Sequence, residues 1–131
     1  MQRADTAGAY EDVMVTAASD VVDRQVGAYN ARDIDAFVAC YATTAMVLTP
    51  DGGVLAANHT EIGSHYGALF DRSPNLHAVV RSRIEIGALV TDEEVVTGFV
   101  RPGMPPTEVR AAVAYRVVDD VIERAQLLGM E

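Results

Sequence analysis

The hydrophobic pattern changes period at "DRSPN", residues 71–75. Ahead of this break, apolar residues recur mostly at three- and four-residue spacing. Behind it they tend to alternate. The first spacing draws a stripe along a helix, and the second a face along a strand. A chain that places its helices first and most of its strands last folds as α+β, with helices on one face of a curved, mostly antiparallel sheet. At 131 residues, half of them hydrophobic, one such domain can bury a core without disulfides.

Residues 1–9 read as a loose tail, leaving 10–131 as the domain. From Val13 to Asn30, Ala18, Val22, Val26 and Tyr29 form a helical stripe, with Gln25 on the same stripe. Asp33 suits the N-cap of a second helix, "DIDAFVACYA", whose inner face is Ile34, Phe37, Val38 and Tyr41. A strand, Ala45–Leu48, runs to a turn at Pro50–Gly53 and a short partner, Val54–Ala56. Thr60 suits the cap of a third helix, "TEIGSHYGALF", with Ile62, Tyr66, Leu69 and Phe70 inward and His65 on the flank. Beyond the break, "LHAVVRSRIEIGALV" reads as a strand ending at a Thr91–Glu93 turn, followed by "EVVTGFV". The prolines of "RPGMPPTE" impose a loop. "RAAVAYRVV" and "VIERAQLL" then close a hairpin at Asp119-Asp120.

A two-residue turn in that hairpin sets its register. Val118 faces Val121, and Arg116 lies opposite Glu123 as an ion pair. Val113, Tyr115 and Val117 share the other face with Gln126, Arg124 and Ile122. An Arg and a Gln among apolar residues need partners or a ligand if buried. A pocket wall satisfies that, and so does a partly exposed face or a dimer contact.

The net charge is −9, and every basic residue is Arg. Such acidity repels phosphate backbones and anionic lipid, so nucleic-acid and membrane partners are not expected. No leader pattern and no apolar run of membrane-spanning length is evident, and a cytoplasmic protein is expected. The single cysteine, Cys40, reads as a buried structural thiol. His59 and His65 are six apart and His77 starts a strand elsewhere, so a shared metal site is not expected. No phosphate loop or dinucleotide fingerprint calls for a cofactor. The face carrying His77, Val79, Arg81, Arg83 and Glu85 suits solvent or a dimer interface. Asp51, Asp92-Glu93-Glu94 and Asp119-Asp120 read as turn carboxylates.

Four stretches together, "AYNARDIDAFVACYATTAMVLTPDGG", "TEIGSHYGALF", "PNLHAVVRSRIEIGALVTDEEVVTG" and "VAYRVVDDVIERAQLL", resemble the SnoaL-like and ketosteroid-isomerase-like branch of the nuclear transport factor 2-like superfamily. The resemblance implies a cone-shaped α+β barrel, its strongly curved sheet wrapped around about three helices and enclosing an apolar pocket. It also implies a homodimer through the outer sheet face. Relatives include isomerases, cyclases and dehydratases as well as noncatalytic binders, so the site must be read by residue. The isomerase base, an Asp before the hairpin proline, corresponds to Thr49. The oxyanion Tyr corresponds to Gln25, and the second acid to Val113. A threonine hydroxyl is far too weak a base to replace the Asp near neutral pH, so ketosteroid isomerisation is not expected.

By the same resemblance Tyr29, Tyr66, Tyr115, Arg124, Gln126 and Leu128 fall on pocket positions. With Gln25 and Thr49 lining the pocket, the candidate catalytic groups are Tyr66, Arg124 and His65. Histidine titrates near neutral pH, and Arg is a fixed cation for a carboxylate or enolate. The expected ligand is a small apolar or aromatic carbonyl compound. The rival expectations are a noncatalytic binder of a hydrophobic metabolite and a protein-interaction module using the outer sheet.

Overall fold

The computed structural model describes residues 17–131. The expected tail and the start of the first helix lie outside them. The element order is α1 (Ala18–Ala31), α2 (Ile34–Ala39), β1 (Tyr41–Leu48), β2 (Val54–Ala57), α3 (Asn58–Arg72), β3 (His77–Ile86), β4 (Leu89–Phe99), β5 (Thr107–Val118) and β6 (Val121–Met130). The strands form one sheet in the order β2-β1-β6-β5-β4-β3. Only β1 and β6 run parallel; the other pairs are antiparallel. The sheet curls around the helices without closing, so the expected cone is open, with β2 and β3 as its edges.

The helices form where the apolar spacing requires them. α1 buries Ala18, Val21, Val22, Gln25 and Ala28. It stops at Arg32, which adopts φ 52°, while Asp33 starts α2 by accepting the Ala36 amide on its side chain (3.1 Å). α2 is shorter than expected: it ends at Ala39, Cys40 caps it, and Tyr41 already belongs to β1. Cys40 is buried, with its thiol on the Ala36 carbonyl. α3 starts two residues before Thr60. Asn58 takes the Glu61 amide and Glu61 returns to the Ala57 amide (3.1 and 2.8 Å), a reciprocal cap centred on Asn58 instead of the expected threonine.

Three features of the sheet differ from expectation, and each moves chemistry between faces. The long apolar run after Leu76 is two strands. They turn at Gly87-Ala88, with Gly87 at φ 58°, and Thr91–Glu93 lies within β4. Asp92 and Glu94 therefore alternate inward with Val90 and Val96, and all four are buried. The second feature is a bulge at Glu123. Val118 does pair with Val121, but Arg116 pairs with Arg124 and Tyr115 with Ala125. The extra residue reverses the faces of everything beyond it.

A further bulge at Arg81 does the same on β3. Arg83 turns in against Asp92 and α1 instead of sharing with His77 and Val79 the face expected for solvent or a dimer interface.

Candidate active site

A cavity of about 300 Å³ lies between the helices and the concave face of the sheet. That is the lower end of the range for small-molecule sites, roughly 300–1,000 Å³. Its interior is mostly apolar, with Phe37, Leu69, Val96, Val109 and Val113 among its walls. Phe37 anchors an aromatic cluster, its ring centre lying 4.7 Å from Tyr66, 5.3 Å from Tyr41 and 6.1 Å from Tyr29. Edge and tilted contacts of this kind fix the rings and aim the phenol oxygens.

Glu94 is the acid of this cavity. Its side chain comes from the middle of β4 and is 8% exposed. The Tyr115 hydroxyl donates to Oε2 at 2.9 Å. Burial pushes the carboxyl up to about 7, the Tyr115 bond opposes that, and the neighbouring Asp92 charge adds to it. Asp92 cannot play the same part. It is 1% exposed and its carboxylate accepts from Arg83 Nε (2.6 Å) and Nη2 (2.9 Å). Arg83 also reaches Asp23 of α1 (2.8 Å). Arg83 thus pairs the buried Asp92 and leaves Glu94 as the carboxyl facing the cavity.

Several phenols surround Glu94. Tyr41 donates to Gln25 Oε1 (3.1 Å), which commits the Tyr41 hydroxyl. The hydroxyls of Tyr29 and Tyr66 have no hydrogen-bond partner among the described residues, and both residues line the cavity. Burial, reinforced by the Glu94 charge, pushes Tyr66 up to about 12. Burial and Tyr66 raise Tyr29 further. Both phenols therefore stay protonated and act as donors. His65 also lines the cavity, edge-on to Tyr66 (4.9 Å). Burial, and then the Arg72 charge, lower it, so its imidazole is neutral at pH 7.

The structure thus brings Gln25, Tyr29, Thr49, His65, Tyr66 and Tyr115 to one cavity. Thr49 contributes little chemistry, because its hydroxyl is turned to Asp51 and to the Gly53 carbonyl (3.2 Å) of the hairpin. The exposed Asp51 also takes the Gly53 amide and closes the turn (3.2 Å). That turn position holds the Asp51 carboxyl below its ordinary value, chiefly through Thr49.

Three expected residues are not brought there. The Glu123 bulge turns Arg124 and Gln126 to the outer face, where they pair with Arg116 and Ala114. Leu128 sits unpaired at a second irregularity and is 49% exposed. Ala125 and Leu127 line the cavity in their place. The expected Arg116–Glu123 ion pair forms all the same (3.1 Å).

Asp92-Glu93-Glu94 reads as a turn in the sequence, yet the sequence holds a signal for the true place of Glu94. The turn at Gly87-Ala88 is that signal: once a strand starts there, positions 90, 92, 94 and 96 share one face and carry two acids inward.

Among the described residues no group of three or more His, Cys, Asp or Glu side chains could hold a metal ion, and no helix is long and apolar enough to cross a membrane.

Comparison with known proteins places this cavity in a familiar setting. An uncharacterized cystatin-fold protein from Novosphingobium aromaticivorans is 26% identical, with a TM-score of 0.76 over 88% of this chain and 100% of that one. A putative SnoaL-like polyketide cyclase from Jannaschia sp. CCS1 is 17% identical, with a TM-score of 0.72 over 87% and 85% of the two chains. IdmH, a putative polyketide cyclase from Streptomyces antibioticus, is 19% identical, with a TM-score of 0.69 over 84% and 89%. A search of curated proteins finds no match. The model of the SnoaL-like domain matches residues 22–125, from the inner face of α1 to the cavity wall of β6. With its curled sheet and its small-molecule pocket, the chain belongs to the SnoaL-like domain family.

Proposed function

We propose that the protein catalyses proton transfer at a carbon next to a carbonyl in a small apolar or aromatic ligand. This is the common step of isomerisation, aldol-type ring closure and dehydration. The observation that supports it is Glu94: a buried carboxyl with a raised pKa, held by Tyr115 in an apolar cavity shared with two unpartnered phenols. A carboxylate with a pKa near 7 is a far better base than an ordinary one and is still ionised in part at neutral pH. In the forward step Glu94 takes the α-proton and the C–H electron pair moves into the forming C=C bond. The carbonyl oxygen becomes an enolate. Tyr66 or Tyr29 donates a hydrogen bond to it, stabilising charge where it develops. Glu94 then returns the proton to another carbon, or to a leaving hydroxyl. This differs from the isomerase arrangement in the family, since the base comes from β4 and not from the position of Thr49.

The test is hydrogen–deuterium exchange at the α-carbon of 1-tetralone, followed by NMR in heavy water. Exchange faster than buffer is expected, with a rate that rises with pH and levels off above about 7 as Glu94 ionises. Glu94→Gln should slow it by about 100-fold or more, and Tyr66→Phe by about 10-fold. Undiminished exchange in Glu94→Gln would refute the assignment. The second reading is a noncatalytic binder, favoured by the commitment of the Thr49 hydroxyl to its turn. It predicts 1-tetralone binding with no exchange above buffer.

A further inference from the structure

Four of the arginines, Arg24, Arg83, Arg110 and Arg116, have carboxylate partners. Arg32, Arg72, Arg81, Arg101 and Arg124 have none among the described residues, although the chain carries nineteen acids, and Arg72 and Arg101 stand apart from the other three. Both line the cavity. Neither is loose. Arg72, near the end of α3, donates through Nε to the Val100 carbonyl at 2.6 Å, which leaves its two terminal nitrogens uncommitted. The buried Ser73 hydroxyl receives the Val100 amide at 3.1 Å, so the segment just ahead of Arg101 is fixed from both sides. The Arg101 guanidinium lies 5.2 Å from the centre of the Phe99 ring, which is itself part of the cavity wall. Arg101 is exposed, as are Leu55 and Met130 on the same wall, and these residues mark the opening.

The cavity is therefore polarised. Two held cations stand on its wall, Arg101 at the opening, and a carboxyl stands among phenols deeper in. An anion placed beside Glu94 would oppose its ionisation, whereas one at the opening meets the Arg101 guanidinium, with Arg72 bonded to the carbonyl of the preceding Val100, and the forked N–H donors of such groups match a carboxylate. On a chain of net charge −9, an anionic ligand is repelled by most of the surface, and a local cationic opening reverses that field where entry occurs.

We propose that the ligand is an organic acid with an apolar body: its carboxylate is held at the opening by Arg101 and Arg72, and its carbonyl end reaches Glu94 and Tyr66. This rests on the cavity being the ligand site.

The experiment compares 4-oxo-4-(2-naphthyl)butanoate with its primary amide by titration calorimetry. The two share body and ketone and differ only in the charge at one end. The carboxylate should bind about five-fold tighter, as suits an ion pair at a half-open site. Added sodium chloride should narrow the difference. Arg101→Gln should bring the two affinities close to equality, and Arg101→Lys should retain part of the preference. Equal affinities in the unaltered protein, or a preference that survives Arg101→Gln, would overturn the assignment of the opening while leaving the cavity as a ligand site. Binding of neither compound would overturn both.

Discussion

Glu94 ties the chemistry of the site to the stability of the fold. Its pKa is raised from an ordinary 4.5 to about 7, so the folded state keeps a proton that the unfolded chain releases. Stability is then fully present below about pH 4.5, falls as pH rises through the window from 4.5 to 7, and is flat beyond it. The cost of ionisation is at most about 3 kcal/mol at pH 8. Glu94→Gln removes the charge and keeps an acceptor for the Tyr115 hydroxyl. It should match the unaltered protein at pH 5 and exceed it by about 2 kcal/mol at pH 8. Thermal melts at the two pH values check this, and a gap that does not widen with pH would contradict the placement of the carboxyl. A variant that loses exchange activity while gaining stability is the expected signature of a group kept for function.

At the scale of elements, β4 owes its inner face to the ion triad that joins it to β3 and α1. Arg83→Met would leave Asp92 buried without its partner, at a cost of about 3 kcal/mol or more. Urea unfolding at pH 7 should show that loss, and adding Asp92→Asn should recover part of it, because the orphaned charge is then gone. The sequence made the helices legible, since Val22, Phe37 and Ile62 mark their inner faces at helical spacing and each is fully or almost fully buried. Gln25, Tyr29, His65, Tyr66 and Tyr115 could be brought to one cavity by helix spacing and family resemblance. What stayed hidden was parity along the strands. A bulge inserts one residue and leaves no mark in composition, so the sequence does not show that Arg124 and Gln126 face outward, or that Arg83 leaves the face expected for solvent or a dimer interface. Glu94 was hidden for a related reason. A run of three acids resembles a turn, and only the Gly87-Ala88 turn upstream reveals that it continues a strand.

At the scale of the whole molecule, the charge of −9 is a solubility device with an energetic cost. Most of the ion pairs among the described residues are on the surface and contribute little each. Repulsion among the excess carboxylates should therefore outweigh them. Raising sodium chloride from 20 to 200 mM at pH 8 should increase the melting temperature by about a few degrees, where a protein held mainly by surface ion pairs would lose stability. The fold places its polarised cavity within this acidic exterior.

The link between α1 and α2 has a consequence at the margin of the sheet. Asn30 grips the backbone of Ala78 on both sides, taking its amide at 2.7 Å and donating to its carbonyl at 3.0 Å, while Arg32 donates to the Leu76 carbonyl at 3.0 Å. These are the groups that an incoming strand would use to extend the sheet at β3. The side chains of the link occupy that template, so the margin facing solvent is closed to strand-by-strand growth at this point. The residues that turn the chain from one helix to the next thus also cap the start of an edge strand.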